Sequence, residues 1–306
     1  MSLVVNTNVA SMNAQRSLMA SGRELQTAME RLSTGKKINS AADDAAGFAI
    51  AESMTAQIRG LSMAAKNASD ALGLLKVVEN ATNDVTDMLQ RIRELAVQAQ
   101  SGTNSTGDVA NLQQEANALI DEINRVSEDT TYNGVAYIGS EKGTKNIQVG
   151  YNDGDSISIT TYNIGAENLG AMVDDAENVD SDTSTTKVLV ALKSGVNYLD
   201  ISQTAEAAVS GTSNRVPGAL EVISGAIDQL ASYKAEWGAG QNRLEYTVSN
   251  LMNVVEFTTA ARSRIQDADF AVEAARLAKA QVLQQTGTAM LAQANASPQL
   301  AISLLS

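Results

Sequence analysis

The chain has 306 residues, which is room for about two domains of ordinary size. Its 35 acidic and 22 basic residues give a net charge of −13, which argues against nucleic acid and membranes as partners because anionic surfaces attract basic ones. Histidine and cysteine are both absent, so thiolate metal sites, thiol nucleophiles and the commonest general base are excluded. We therefore expect no catalytic residue, no metal and no cofactor.

The apolar residues are mainly small or aliphatic, since the chain has only three Phe, one Trp and seven Tyr. Such side chains suit close packing between helices. No run of 18 apolar residues occurs, so we expect no membrane span. The N-terminal segment lacks early basic residues and a long apolar stretch, so we also expect no cleaved signal peptide.

Apolar residues spaced three and four positions apart predict the helices at the start of the chain. The first covers residues 9–34, with Met29 at a core position. Three leucines repeat along it at intervals of seven: Leu18, Leu25 and Leu32. Gly35 ends this helix, and a capping box at 40–43 is predicted to open the next one.

The second helix carries the most regular pattern in the chain. A stripe of mainly apolar residues along one face of this helix, here called its seam, runs for about eight heptads. It consists of Ile50, Met54, Ile58, Leu61, Ala65, Ala68, Leu72, Leu75, Thr82, Val85, Leu89, Ile92, Ala96 and Ala99. A helix of that length extends about 85 Å at 1.5 Å per residue. It is longer than a small globule is wide, so we expect it to need a partner of similar length.

The rest of the chain adds a helical hairpin, a small β region and two further helices. A turn at 102–107 and a shorter apolar seam after it predict an antiparallel αα-hairpin. Alternating residues around a turn at 152–155 predict a β-hairpin. Pro217 is predicted to begin a long helix, and an Ala-rich helix over 270–294 follows, ended by Pro298.

These elements predict a mainly α fold. It is a long antiparallel helical bundle or coiled coil with paired N- and C-termini and a small β-hairpin region. We predict an inner terminal helical domain of residues 1–42 and 268–306, and a long-helix rod domain with the β-hairpin over 43–171 and 217–267. Residues 172–216 are predicted to be a short, variable segment that faces outward, because the acidic middle of the chain is typical of a solvated surface.

The terminal helices leave two arrangements open. They are Ala-rich and nearly free of aromatic residues, so pairing two of them leaves one side of each uncovered. This favours burial against other copies of the chain, while a monomeric bundle is the alternative. The candidate residues for packing between subunits are Leu18, Leu25, Leu32, Leu300, Ile302, Leu304 and Leu305.

Four sequence blocks, divided between the two ends of the chain, closely resemble bacterial flagellin. They are RLSTGKKINSAADDAAG (31–47), LQRIRELAVQA (89–99), ARSRIQDADF (261–270) and LQQTGT with LAQAN (283–288 and 291–295). The resemblance implies a structural subunit that self-assembles into the flagellar filament for motility. It also implies export of the unfolded chain by the flagellar type III system. The lack of a signal peptide taken alone would predict a cytoplasmic location, and this export implies an extracellular one in the filament instead.

The same resemblance implies partners. These are other copies of the chain in a helical homopolymer, an export chaperone, the filament cap and the hook–filament junction proteins. Arg91, Leu95 and Glu115 match the positions that the vertebrate toll-like receptor for flagellin reads. The alternatives are a hook–filament junction protein of the same apparatus and a cytoplasmic coiled-coil signalling rod. A metalloprotease, which some flagellins carry, would need histidine, and this chain has none.

Overall fold

The computed structural model describes residues 8–175, 186–204 and 218–303, with backbone only for 171–175, 186–190 and 297–303. Within these ranges the helices are α1 Val9–Thr34, α2 Ala45–Ala99, α3 Thr106–Asp129, α4 Ala219–Gln266 and α5 Phe270–Ser303. The strands form three antiparallel pairs: β1 Gly143–Gln148 with β2 Ser156–Thr161, β3 Gly170–Asp175 with β4 Thr186–Ala191, and β5 Lys193–Ser194 with β6 Asn197–Tyr198.

The chain divides into two compact units. Unit 1 comprises Met1–Gly60 and Asn253–Ser306, and unit 2 comprises Leu61–Met252. The domain limits predicted at 42/43 and 267/268 lie at the breaks between helices, and as limits of domains they stay predictions. Of the segment predicted to be variable, residues 176–185 and 205–216 lie outside the described residues, and the described part carries β4, β5 and β6.

Helices α1 and α5 of unit 1 pair along their lengths in antiparallel orientation. At one end, Asn8 Nδ2 donates to the carbonyl oxygen of Ala294 at 2.7 Å. At the other end, Nη1 of Arg31 lies 3.4 Å from Oε1 of Glu273. The prediction of a mainly α fold with paired terminal helices is therefore confirmed.

The breaks that precede α2 and α5 are held to each other by backbone hydrogen bonds. The N–H of Lys37 donates to the carbonyl of Gln266 at 2.7 Å, and the N–H of Ala268 donates to the carbonyl of Gly35 at 2.9 Å. Gly35 has a φ of 70°, which a residue with a side chain rarely adopts, so a glycine suits this helix end.

The capping box predicted at 40–43 does not start a helix. Oδ2 of Asp43 accepts the N–H groups of Asn39 and Ser40, each at 3.0 Å, and so closes a turn before the helix. These bonds lower the pKa of the Asp43 carboxyl. Helix α2 begins at Ala45, and Asp44 caps it by accepting the N–H of Gly47 at 3.0 Å.

Pro298 does not end α5, contrary to the prediction, since the helix continues to Ser303. A proline inside a helix has no N–H for the carbonyl four residues earlier, which here belongs to Ala294. That carbonyl accepts instead from the Asn8 side chain. The pairing of α1 with α5 thus supplies the hydrogen bond that the Ala294 carbonyl loses to Pro298. The sequence pattern of α5 alone could not predict this donor.

Unit 2 has a continuous hydrophobic core between α2, α3, α4 and the β region. Leu75, Leu89 and Ile92 of the α2 seam are fully buried there. The predicted β-hairpin is confirmed, with Ile147 opposite Ile157 in its register. Long α2 therefore has the helical partner in unit 2 that its seam predicted.

An aromatic cluster attaches the β-hairpin to α4. The rings of Tyr162 and Tyr233 stack with centroids 4.0 Å apart, and Nε1 of Trp237 donates to the carbonyl of Thr160 at 2.8 Å. The hydroxyl of Tyr162 donates to Glu236 at 2.6 Å, and this bond raises the pKa of Tyr162 to about 12.

Two predicted core positions are not core. The side chains of Met29 and Ile50 are 50% and 48% exposed, whereas Leu72 is partly buried and packs against the core of unit 2. Met29 and Ile50 belong to unit 1, where Ala28 instead takes the buried position against α5 at 2% exposure. A small residue at that position allows close approach of the helices, so the larger neighbour is left outside.

Candidate assembly and recognition surfaces

Unit 1 has almost no hydrophobic core of its own. Among the described residues, its buried hydrophobic side chains are Ala28, Ile38, Ala51 and Ala280. Its exposed large hydrophobic residues are Val9, Met12, Met19, Met29, Ile50, Val254, Phe257, Phe270, Val272, Val282, Leu283 and Met290. Apolar exposure on this scale marks an interaction surface.

A groove between α1 and α5 forms part of this surface. It has a volume of about 540 Å³ and is lined mainly by alanine, serine and other small residues, with Leu283 and Met290 at its side. The helices approach closely beside it, since a Cβ added at Gly287 would lie 3.1 Å from Cδ1 of Leu18. The groove is open because the residues that line it are too small to fill it.

The predicted inter-subunit leucines differ in what the structure says of them. Leu18, Leu25 and Leu32 are half-buried on α1. Leu300 and Ile302 belong to α5, but the structure describes only their backbone. Leu304 and Leu305 lie outside the described residues. Their packing between subunits stays a prediction.

Sequence reasoning missed the most exposed apolar residues of unit 1. Phe257 and Phe270 are each 73% exposed, although a phenylalanine side chain is among those most often buried. The signal was present, because two of the chain's three phenylalanines lie close to the break between α4 and α5 and outside the heptad seam.

The structure brings Arg91 of α2 and Glu115 of α3 together. Nε and Nη2 of Arg91 donate to Oε1 of Glu115 at 3.0 and 2.8 Å, and Nη1 donates to Glu94 at 3.0 Å. These contacts raise the pKa of Arg91, with the hydrogen bond to Glu115 as the largest cause. The Arg91 and Glu115 side chains are about half exposed.

Leu95 lies one turn after Arg91 but faces inward. Its side chain is 1% exposed and belongs to the core of unit 2. Arg91 and Glu115 are therefore available at the surface, whereas Leu95 lies beneath it. A contact through the Leu95 side chain would need a local opening of this core.

The described residues contain no group of three or more Asp or Glu side chains placed to hold a metal ion. In the same part of the chain, no helix is long and apolar enough to cross a membrane.

Comparison with known proteins identifies both ends of the chain. Residues 5–138 match the family model for the bacterial flagellin N-terminal helical region, and residues 220–305 match that for the C-terminal helical region. Unit 1 and the three long helices of unit 2 fall mostly within these two matches.

Relatives match over their whole length. Flagellin of Bacillus subtilis is 39% identical over 98% of this chain and 99% of that protein, and Flagellin B of Vibrio cholerae is 34% identical over 100% of both. A crystal structure of Bacillus cereus flagellin aligns with a TM-score of 0.41 at 20% identity, covering 61% of this chain and 88% of that one. The chain belongs to the bacterial flagellin family.

Proposed function

We propose that this flagellin, a structural subunit of the bacterial flagellar filament, polymerises mainly through unit 1. One observation carries the proposal. Unit 1 exposes many large apolar side chains, whereas the few apolar side chains that it buries are mostly alanine. Ordering each residue costs roughly 1–2 kcal/mol, and burial of alanines alone offsets little of that cost. Neighbouring copies would cover the exposed side chains and supply the missing burial.

The charge distribution supports the same surface. Unit 1 contains ten basic and nine acidic residues, so it is almost neutral. The net charge of −13 therefore comes from the rest of the chain. A nearly neutral unit can pack against identical copies without strong repulsion, whereas an acidic remainder favours contact with solvent.

Removing the last eight residues tests this assignment. In the proposal, Leu300, Ile302, Leu304 and Leu305 act between subunits, so a chain lacking 299–306 should fail to extend filament seeds. Its unit 2 should stay folded, as reported by the fluorescence of Trp237, the single tryptophan.

A matched control keeps the full length and replaces the polar residues Gln299 and Ser303 with alanine, and it should polymerise normally. Seed extension by the truncated chain at the rate of the complete chain would show that these apolar residues are not needed between copies.

We further propose export of the unfolded chain by the flagellar type III system, with an export chaperone, the filament cap and the hook–filament junction proteins as partners, and an extracellular location. The small core of unit 1 supports this, because a unit that buries little apolar surface unfolds easily. We propose no catalytic role, since the chain lacks histidine and cysteine. The family matches at both ends favour this function over a junction protein or a cytoplasmic signalling rod.

We also propose that Arg91 and Glu115 form the surface read by the toll-like receptor for flagellin, with Leu95 holding α2 in place beneath them. Support comes from the exposed ion pair between the two charged side chains. Arg91→Ala should weaken receptor activation in reporter cells, whereas Arg125→Ala, which removes another exposed cation of unit 2, should leave it unchanged. An unaltered response to the Arg91 variant would show that the receptor does not read Arg91.

A further inference from the structure

A basic cavity lies between α1 and α5 in unit 1. It has a volume of about 410 Å³, and four of the side chains that line it are cationic while two are carboxylates. The charged residues are Arg23, Glu24 and Arg31 from α1, and Glu273, Arg276 and Lys279 from α5. The cavity therefore carries an excess of two positive charges.

Glu273 is the one acidic side chain buried in this cavity, at 4% exposure. Its Oε1 accepts from Nη1 of Arg276 at 2.9 Å and lies 3.4 Å from Nη1 of Arg31. A single carboxylate oxygen is thus shared by two guanidinium groups, and the contact with Arg31 is long for a hydrogen bond. Glu273 leaves Arg31 incompletely paired.

The Nε group of Arg31 is buried and has no hydrogen-bond partner among the described residues. A buried donor without an acceptor is costly, and such donors are rare in folded proteins. Arg31 stands in the last turn of α1, where positive charge is favoured, but this gives its Nε no acceptor. Within the described ranges, Arg23 and Lys279 also take part in no ion pair.

Unit 1 also has unpaired negative charge. Glu273 is the only carboxylate of its described part that forms an ion pair. Exposed glutamates such as Glu30, Glu52 and Glu256 have none. Because unit 1 is nearly neutral, two copies of it can match cations on one to carboxylates on the other.

We propose that the basic cavity of one subunit receives a carboxylate side chain from a second copy of the chain in the filament. The Arg31 side chain is 19% exposed, and guanidinium groups bind carboxylates through paired N–H donors, so an incoming carboxylate would complete the pairing that Glu273 leaves unfinished. The excess charge from Arg23 and Lys279 would attract it. The inference rests on the proposed polymerisation through unit 1 and adds the chemistry of one contact.

Zero-length cross-linking in mixed filaments tests the proposal. Filaments are grown from equal amounts of unlabelled and ¹⁵N-labelled chain and treated with a carbodiimide, which joins an ammonium group to a carboxylate only in direct contact. Mass spectrometry should find Lys279 joined to a carboxylate peptide of the other isotope. The same mixture kept as monomer should lack this product.

A pair of variants measures the same contact without a reagent. Arg23→Gln combined with Lys279→Gln should raise the critical concentration for polymerisation about three- to tenfold, the scale of one or two surface ion pairs. Arg16→Gln removes an exposed cation of α1 outside the cavity and should leave that concentration unchanged.

Lys279 joined only to its own chain, in filaments that form normally, would overturn the proposal while leaving polymerisation intact. An unchanged critical concentration in the double variant would also overturn it. Failure of the unaltered chain to polymerise at all would instead refute the proposed function.

Discussion

Leu75→Ala tests whether the α2 seam forms the core of unit 2. Leu75 is 0% exposed, and a Cβ added at Gly240 on α4 would lie 3.6 Å from its Cδ1. Truncating a fully buried leucine to alanine lowers the free energy of unfolding by about 2–5 kcal/mol, through lost burial and the cavity left behind. Leu72, one turn earlier, is only partly buried, so Leu72→Ala should cost about half as much or less.

Urea unfolding followed by Trp237 fluorescence measures this difference. Trp237 is 2% exposed in unit 2, so its signal reports that unit. With a slope of about 2 kcal/mol per molar urea, a loss of 3 kcal/mol moves the midpoint by about 1.5 M. Equal midpoints for the Leu75 and Leu72 variants would refute the assignment of Leu75 to the core.

Two further predictions concern unit 2. Gly139→Ala should lower the free energy of unfolding by about 1–3 kcal/mol in the same urea titration, because its Cβ would lie 2.6 Å from the carbonyl oxygen of Ser127. Gly102→Ala meets no atom within 4 Å and serves as the control; equal midpoints would contradict the crowding argument. The hydrogen bond from Lys193 lowers the pKa of the Asp121 carboxyl, so its stabilising effect is present above the ordinary carboxyl pKa and is lost as the pH falls through the lowered one. Asp121→Asn should therefore flatten the fall of stability below about pH 4, and an unchanged acid profile would show that this pair does not contribute.

Helices could be predicted from the sequence because their signals are local. The sequence predicts the first helix over 9–34, and α1 has these limits because Asn8 and Gly35 cap it within the same stretch of chain. Alternation of residues on both sides of a turn likewise located the β-hairpin. The end of α5 could not be predicted, since Pro298 is accommodated by Asn8, a residue almost three hundred positions away.

The assembly surface was only partly predictable, because a heptad seam shows that a face is covered but not by which chain. Leu75 and Ile50 occupy equivalent steps of one seam, yet Leu75 is fully buried and Ile50 is 48% exposed. Phe257 and Phe270 lie outside the seam, so the pattern gave no reason to select them. The basic cavity depends on residues of α1 and α5 that only the antiparallel pairing brings together.

Hydrogen exchange on monomer and filament tests most directly whether unit 1 gains its stability from neighbouring copies. Backbone amides of α1 and α5 should exchange fast in the monomer and slowly in the filament, because burial between copies supplies the free energy that resists opening. Amides of α2 from Leu75 to Leu95 should be protected in both states, since their core belongs to unit 2. Equal and strong protection of α1 and α5 in the monomer would contradict the proposal and show that the terminal helices are a self-sufficient bundle.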